Sequence, residues 1–227
     1  MGFSRSLEPE LLDLLAPDDP RARASRRDLV RINFVMRQQT IMAGLLRPLA
    51  APRRLADLGS GDGRFLLGLA RRMAPHWPSV TALLVDRQDI VSAQTRAGFA
   101  ALGWKCESIT GDIFEAMLHL DAEMITANLF LHHLDDLDLR RLLIMAEQKA
   151  CGFVACEPRR SPAALLASRM VFALACNDVT RHDAVASVRA GFNGRELSRL
   201  WPGDGWRLWE GLALPFTHAF SATRDAV

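Results

Sequence analysis

The chain has 227 residues, 49% of them hydrophobic and 24% charged, which is the balance of a globular domain and excludes a disordered, collagen-like or disulfide-framed chain. At about 150 residues per domain, this length predicts one domain with an appendage. Lys plus Arg number 28 against 26 Asp plus Glu, and a net +2 gives no electrostatic case for a nucleic-acid or membrane partner.

The first fifty residues read as a helical cap. Leu29, Ile32, Val35, Met36, Leu45 and Leu46 recur at helical spacing. The pattern predicts a short helix over Pro9 to Leu15, a break at Pro17-Asp18-Asp19-Pro20 and a longer helix from about Ser25 to Leu46, with Pro48 and Pro52 ending the segment. The cap is rich in arginine, ten of them up to Arg54. It divides the chain into a lid, residues 1–50, and a main domain, residues 51–227.

From Arg53 onward strand-like and helix-like stretches alternate. Strands are expected at Arg54 to Leu58, Val80 to Val85, Trp104 to Thr110, Glu123 to Phe130, Gly152 to Cys156, Trp206 to Leu214 and Phe216 to Thr223. Helices are expected at Arg64 to Met73, Ile90 to Leu102, Asp138 to Lys149, Pro162 to Cys176 and Arg195 to Leu200. Alternation of this kind implies right-handed crossovers and a parallel sheet covered on both faces. The last two strands have only Pro215 between them and must form a hairpin. The expected fold is therefore α/β, an open, mostly parallel seven-stranded sheet with a C-terminal antiparallel hairpin and an N-terminal helical cap.

Cys106, Cys151, Cys156 and Cys176 follow no metal or C-x-x-C spacing, so they read as reduced, mostly buried small hydrophobes of a cytoplasmic protein. No apolar stretch reaches the roughly 18 residues of a membrane span. The opening Met1-Gly2-Phe3-Ser4-Arg5-Ser6 fits the permissive M-G-x-x-x-[ST] acylation pattern, six residues that carry little weight.

The sharpest motif is Asp57-Leu58-Gly59-Ser60-Gly61-Asp62-Gly63-Arg64, a strand running through alternating glycines into a helix. Glycines there let the backbone turn tightly and lie against a ligand beside free helix amides. A dinucleotide fingerprint G-x-G-x-x-G would place its third glycine where Arg64 stands, so that reading fails by one residue. The loop instead resembles the first motif of class I S-adenosylmethionine-dependent methyltransferases, and further motifs of that family follow in order: Val85-Asp86-Arg87, Thr110-Gly111-Asp112-Ile113 and Ala127-Asn128-Leu129-Phe130-Leu131-His132-His133. The resemblance covers roughly Arg53 to Thr223. It implies a Rossmann-like methyltransferase fold with S-adenosyl-L-methionine as cofactor. It also implies cofactor contacts from Asp57, Gly59, Ser60, Gly61, Gly63, Asp86, Arg87, Asp112, Ile113, Asn128 and Leu129, with Asp86 accepting the ribose hydroxyls and Asp112 meeting the adenine amino group. Taken singly, Asp86 or Asp112 also fits a turn or a helix cap, and Asn128 the cap of its own turn.

Methyl transfer from a sulfonium requires alignment and a dry pocket, helped by a base for the acceptor. No metal is expected, because adjacent imidazoles project apart and no third ligand stands at a familiar spacing. His132 and His133, directly after the fourth strand, are candidate bases for a phenol or enol; the same imidazoles could instead hold the loop by bonding Asp135 or Asp136. Glu157, beside Arg159 and Arg160, reads as a salt-bridged strut. An insertion from Ala175 to Asp183, continued by Val188 to Phe192, and the N-terminal helix are placed to enclose the acceptor, with Asn33, Arg37 and His182 as candidate contacts. The leading reading is O-methylation of a small phenolic, polyketide-like or quinone-type acceptor of secondary-metabolism type. An RNA acceptor and a cofactor-binding protein without turnover stay open, as do carbon and nitrogen as methylated atoms and the oligomeric state. Against RNA stand the balanced charge and the absence of an aromatic-rich basic stripe.

Overall fold

The computed structural model describes residues 3–170 and 175–224. Gly2, the residue the acylation pattern would modify, lies outside them. In chain order the elements are α1 (Leu11–Leu14), α2 (Pro20–Val35), α3 (Gln38–Leu46), β1 (Arg54–Leu58), α4 (Arg64–Met73), β2 (Thr81–Asp86), α5 (Ala93–Ala100), β3 (Lys105–Thr110), α6 (Ile113–His119), β4 (Met124–Asn128), a 3₁₀ turn (Leu131–His133), α7 (Asp136–Lys149), β5 (Gly152–Pro158), α8 (Pro162–Arg169), α9 (Asp178–Ala190), α10 (Glu196–Leu200), β6 (Arg207–Ala213) and β7 (Thr217–Thr223).

All seven strands join one sheet in the order β3-β2-β1-β4-β5-β7-β6. The first five are parallel, while β7 runs antiparallel to both β5 and β6, as the single-residue separation at Pro215 requires. Strand order reverses between β1 and β4, and the crevice at their carboxyl ends is where an open α/β sheet binds ligands. Register aligns Leu58 with Ala127 there, so the glycine loop and Asn128 emerge side by side. Alternation along β1 splits the core: Ala56 and Leu58 join the cluster under α6 and α7, whereas Leu55 joins the cluster under α3 and α4. Asp57 shares the Leu55 face, an acid inserted among apolar side chains. The two edge strands, β3 and β6, alternate exposed and covered positions, while β5 is buried throughout.

The structure corrects three details of the helical reading. The periodic run from Ser25 to Leu46 is two helices, because Met36 ends α2 and Arg37 adopts a left-handed conformation at φ 56°; the Thr217 hydroxyl donates to the carbonyl released at Met36, 3.3 Å away. The apolar spacing continues across the break, which is why periodicity alone ran through it. At the other end α2 begins at Pro20, with Asp19 accepting from the Arg21 amide at 2.7 Å and proline at the first position, where no amide bond is lost. Two helices the pattern did not mark, α6 and α9, begin at the side-chain caps Asp112 and Asn177. The helix expected from Pro162 to Cys176 is described as far as Arg169, and residues 171–174 lie outside the described part.

Of the cap's residues, Met42, Ala43 and Leu46 of α3 join the core cluster that includes Leu55 and α4. Helix α1 packs on α9, and α2 packs on α9 as well as on α3 and α4, while α9 packs in turn on α8. Among the described residues no helix is long and apolar enough to cross a membrane.

Candidate functional site

Each glycine of the first loop answers a different constraint. All three have positive φ, 67° at Gly59, 56° at Gly61 and 74° at Gly63. A Cβ at Gly59 would collide with the Phe130 ring, one at Gly63 would meet Leu84 Cδ1 at 2.8 Å, and one at Gly61 would enter open space. The loop is tied to β2: Gly59 and Ser60 amides donate to the Val85 carbonyl at 2.9 and 3.1 Å. The Gly61 amide donates to Asp86 Oδ2 at 2.8 Å, and the Gln88 amide to Asp86 Oδ1 at 3.0 Å. Each oxygen of that carboxylate keeps a lone pair for another donor.

Beneath the loop Asp57 is buried, accepting from the Thr126 hydroxyl at 2.7 Å. Burial pushes its pKa up to about 7, the Thr126 bond partly opposing this and the neighbouring Asp86 charge adding to it. Asp112 is exposed and caps α6 through Oδ1, which accepts from the Phe114 and Glu115 amides at 2.8 and 3.3 Å; its cap role is thus realised and Oδ2 is left over. Ile113 is the first residue of that helix, half-buried at the same edge. Arg87 projects into solvent and pairs with Asp13 at 3.5 Å. Asn128 donates from Nδ2 to Asn33 at 3.0 Å, while its Oδ1 and the Ser60 hydroxyl are buried without a partner. Leu129 follows at φ 53°, an unfavourable backbone for a branched side chain. Two orphaned polar atoms and a strained residue on one crevice mark it as built for a ligand.

The histidines do not project apart. Their rings lie 4.3 Å apart, tilted by 34°, because the 3₁₀ turn holds both on one side. Nor do they bond Asp135, which caps α7, or Asp136, which pairs with Arg5 at 2.8 Å. His132, 2% exposed, donates from Nδ1 to Glu157 at 2.7 Å and from Nε2 to Glu10 at 3.2 Å. Burial alone would favour its neutral form, but those two carboxylates outweigh it and push the imidazole up to about 9. His133 lies with Nδ1 3.4 Å from Asp13 and Nε2 3.8 Å from Glu10. Both ring nitrogens of His132 are thus engaged, whereas His133 Nε2 lies beyond hydrogen-bond distance of Glu10. Glu157, passed over as a strut to arginine, organises the turn: fully buried, it accepts from the Phe130 and Leu131 amides at 3.0 and 2.8 Å as well as from His132. The signal was its place one residue beyond the predicted fifth strand on the ligand-binding edge. Glu10 and Asp13 arrive from a segment more than a hundred residues away, and no local signal marks them.

Beside this cluster, under the cover, lies a cavity of about 210 Å³. Leu29 and Ile32 of α2, Met36 just past its end, Leu129, Pro158, Ala164 of α8, Ala184 and Val188 of α9 and Phe216 make most of its wall, with Glu10, Ser25, Thr180 and Ser187 as polar points. The N-terminal segment is anchored over it by carboxylates: Asp183 accepts from the Leu11 and Leu12 amides at 2.8 and 3.0 Å, and Asp28 from the Asn177 amide and Thr180 hydroxyl at 2.9 and 3.1 Å. The insertion and the N-terminal helix thus do enclose one space. None of the three expected acceptor contacts lines it. Asn33 is engaged by Asn128, Arg37 is exposed at the helix break, and His182 sits outside on Asp183 at 3.0 Å. The neighbours Ile32 and Met36 line the wall instead, since helix pitch turns Asn33 aside and Arg37 leaves the helix at the left-handed break.

No protein-family model and no curated protein matches the sequence. Solved structures do match. The plantazolicin methyltransferase BpumL, solved with a monoazolic desmethylPZN analogue and SAH, aligns over 95% of each chain with TM-score 0.68 at 13% identity. An O-methyltransferase family protein from Burkholderia thailandensis aligns over 92% of this chain and 63% of its own, TM-score 0.59 at 16% identity. RosA, an N,N-8-amino-8-demethyl-D-riboflavin dimethyltransferase from Streptomyces davawensis, aligns over 96% of this chain and 62% of its own, TM-score 0.61 at 18% identity. The chain spans less than two thirds of the last two proteins. The fold is therefore the Rossmann-like fold of class I S-adenosylmethionine-dependent methyltransferases, with the expected mostly parallel sheet and C-terminal hairpin.

Proposed function

We propose that the protein transfers a methyl group from S-adenosyl-L-methionine to a small, largely apolar acceptor, with oxygen as the methylated atom. The observation that carries this is the junction at Leu129: this strained residue lines the cavity, and the preceding Asn128 leaves Oδ1 unpartnered in the glycine-loop crevice. A cofactor in the crevice and an acceptor in the cavity would meet there. The solved structures bound to SAH share this fold, which supports the cofactor. Gly59, Gly61 and Gly63 would admit it, Asp86 would take the ribose hydroxyls, Asp112 and Ile113 would edge the adenine, and Asn128 and Ser60 would satisfy its remaining polar groups. Asp57 is the buried counter-charge for a ligand carrying both an ammonium and a sulfonium.

The displacement cancels the sulfonium charge, so a dry cavity favours it and the protein's contribution is alignment. The cavity sets acceptor size: a hole of about 150 Å³ accepts benzene, so this one suits a substituted single ring. Glu10 stands on its wall, with both ring nitrogens of His132 held by carboxylates, so of the two imidazoles His133, whose Nε2 makes no hydrogen bond, is the better candidate for the base. Calorimetric titration with S-adenosylmethionine should show one site. Incubation with labelled cofactor and a panel of phenols and enols should put label in an organic-soluble product. Absence of binding heat overturns the proposal; binding with label in RNA, or in nothing, overturns the acceptor class.

A further inference from the structure

The cluster of Glu10, His132 and His133 has more order than a loop anchor needs. Their ligand-type atoms all lie within 4.8 Å of one another. Each imidazole turns Nδ1 to its own carboxylate, His132 to Glu157 at 2.7 Å and His133 to Asp13 at 3.4 Å. Both therefore turn Nε2 toward the same third carboxylate, His132 to Glu10 Oε1 at 3.2 Å and His133 to Glu10 Oε2 at 3.8 Å. Carboxylates on Nδ1 that fix the tautomer and aim Nε2 are the outer shell that metal-binding histidines usually carry. Around a tetrahedral zinc with bonds of about 2.0–2.1 Å, ligand atoms stand about 3.3 Å apart, so three atoms already within 4.8 Å of one another need draw in by little more than an ångström. Glu10 is itself held by the Ser187 hydroxyl, and it faces the cavity.

We propose that Glu10, His132 and His133 form a binding site for a divalent transition-metal ion of the zinc class, with Glu157 and Asp13 as its orienting outer shell. Two nitrogens and one oxygen select zinc or cobalt over magnesium and calcium, which prefer oxygen donors. Three protein ligands leave a fourth position, and the cavity beside Glu10 is where a water or an acceptor oxygen would take it. Binding displaces the proton on His132 Nε2, which leaves to solvent. The ion would also tie the N-terminal segment to the turn after β4, joining cover and sheet through one centre. The proposal is independent of methyl transfer, because binding is read without the cofactor.

The test uses the full chain, stripped with a chelator, dialysed and titrated with Zn²⁺ by calorimetry and with Co²⁺ by visible absorption, no cofactor present. One equivalent of Zn²⁺ should bind and raise the thermal midpoint, and Co²⁺ added to the stripped protein should give the absorption of a four-coordinate centre that Zn²⁺ then displaces; Mg²⁺ should do neither. Glu10→Gln and His133→Ala should each weaken Zn²⁺ at least roughly 10-fold, and Asp13→Asn within the 10–100-fold range of outer-shell partners. His133 and Asp13 are partly exposed, so these two variants report on binding even if His132→Ala fails to fold. No binding by the parent, or equal affinity in Glu10→Gln and His133→Ala, overturns the proposal. Titration of the same preparation with S-adenosylmethionine separates the two readings, since cofactor binding without zinc defeats only the metal site, and zinc without cofactor defeats only the methyltransferase.

Discussion

The two halves of the site are built by opposite means. The crevice on β1, β2 and β4 is assembled from strand ends that fold next to one another, and its parts are backbone amides, three glycines and carboxylates at fixed register. The cover is assembled from segments more than a hundred residues apart, and it is held by buried carboxylates taking backbone amides, as Asp183 does for α1 and Asp28 for the start of α9. A crevice of the first kind tolerates change in its surroundings but not in its backbone. A cover of the second kind depends on individual charges whose loss strands a desolvated partner.

The largest effect should come from the crevice. Gly59→Val combines a positive φ with collision against Phe130, so it should lower S-adenosylmethionine affinity by roughly 100-fold or more, about 3 kcal/mol, and destabilise the fold as well. Gly61→Ala meets no atom, so its fold should persist at a cost of about 1–2 kcal/mol for the left-handed backbone while affinity still falls, because the new methyl occupies the open space a ligand needs. Calorimetry on both variants, with denaturant midpoints, checks the contrast; equal affinity in Gly61→Ala would remove the cofactor from that loop. On the cover side, Glu157→Gln should cost about 3 kcal/mol, the lower end for breaking a buried pair, since the amide oxygen can still take the Phe130 and Leu131 amides but no longer balances His132. A chemical denaturation midpoint near the parent's would show that the turn does not need the charge.

This contrast also explains what the sequence revealed. All seven strands, the mostly parallel sheet and the terminal hairpin were legible because apolar runs, glycine punctuation and the single Pro215 are local signals. The crevice was legible for the same reason: the glycines fall at the positive-φ turn after β1, and Asp86 at the end of β2 beside it. The break at Arg37 was not, because apolar spacing continues through it while the backbone alone changes hand. Glu10, Asp13 and Asp183 were invisible because an acid in a helical, solvated-looking segment carries no mark of the amide or imidazole it will meet from elsewhere. Asn33, Arg37 and His182 do not line the cavity, because polarity in a sequence does not fix the direction a side chain takes.

Asp57 sharpens the comparison from within the crevice, as the one place where it too stores a desolvated charge. Its folded pKa of about 7 stands above the unfolded 3.8, so between those values the folded chain keeps a proton the unfolded chain has lost. This group's contribution therefore falls as pH rises from about 4 to 7 and is constant above, a loss of at most about 4 kcal/mol at 1.36 kcal/mol per unit. Asp57→Asn should remove that slope and leave the variant more stable than the parent at pH 8, as thermal midpoints across pH would show. If the ionised form is the counter-charge of a cationic cofactor, parental affinity should rise through pH 7 and that of the variant should not.

The smallest effect tests whether the cover can loosen by itself. Asp183→Asn keeps one oxygen for the Leu11 or Leu12 amide and loses the other bond, so the expected cost is about 1 kcal/mol, too little to unfold a domain whose core lies elsewhere. Because α1 is only four residues long and buries none of them, that loss should appear as faster amide exchange and proteolytic cutting over residues 5–14, with exchange in β1 and β4 unchanged. Faster exchange spreading into β4 would mean that the cover and the crevice open as one unit, and the division between them would then describe construction alone and not motion.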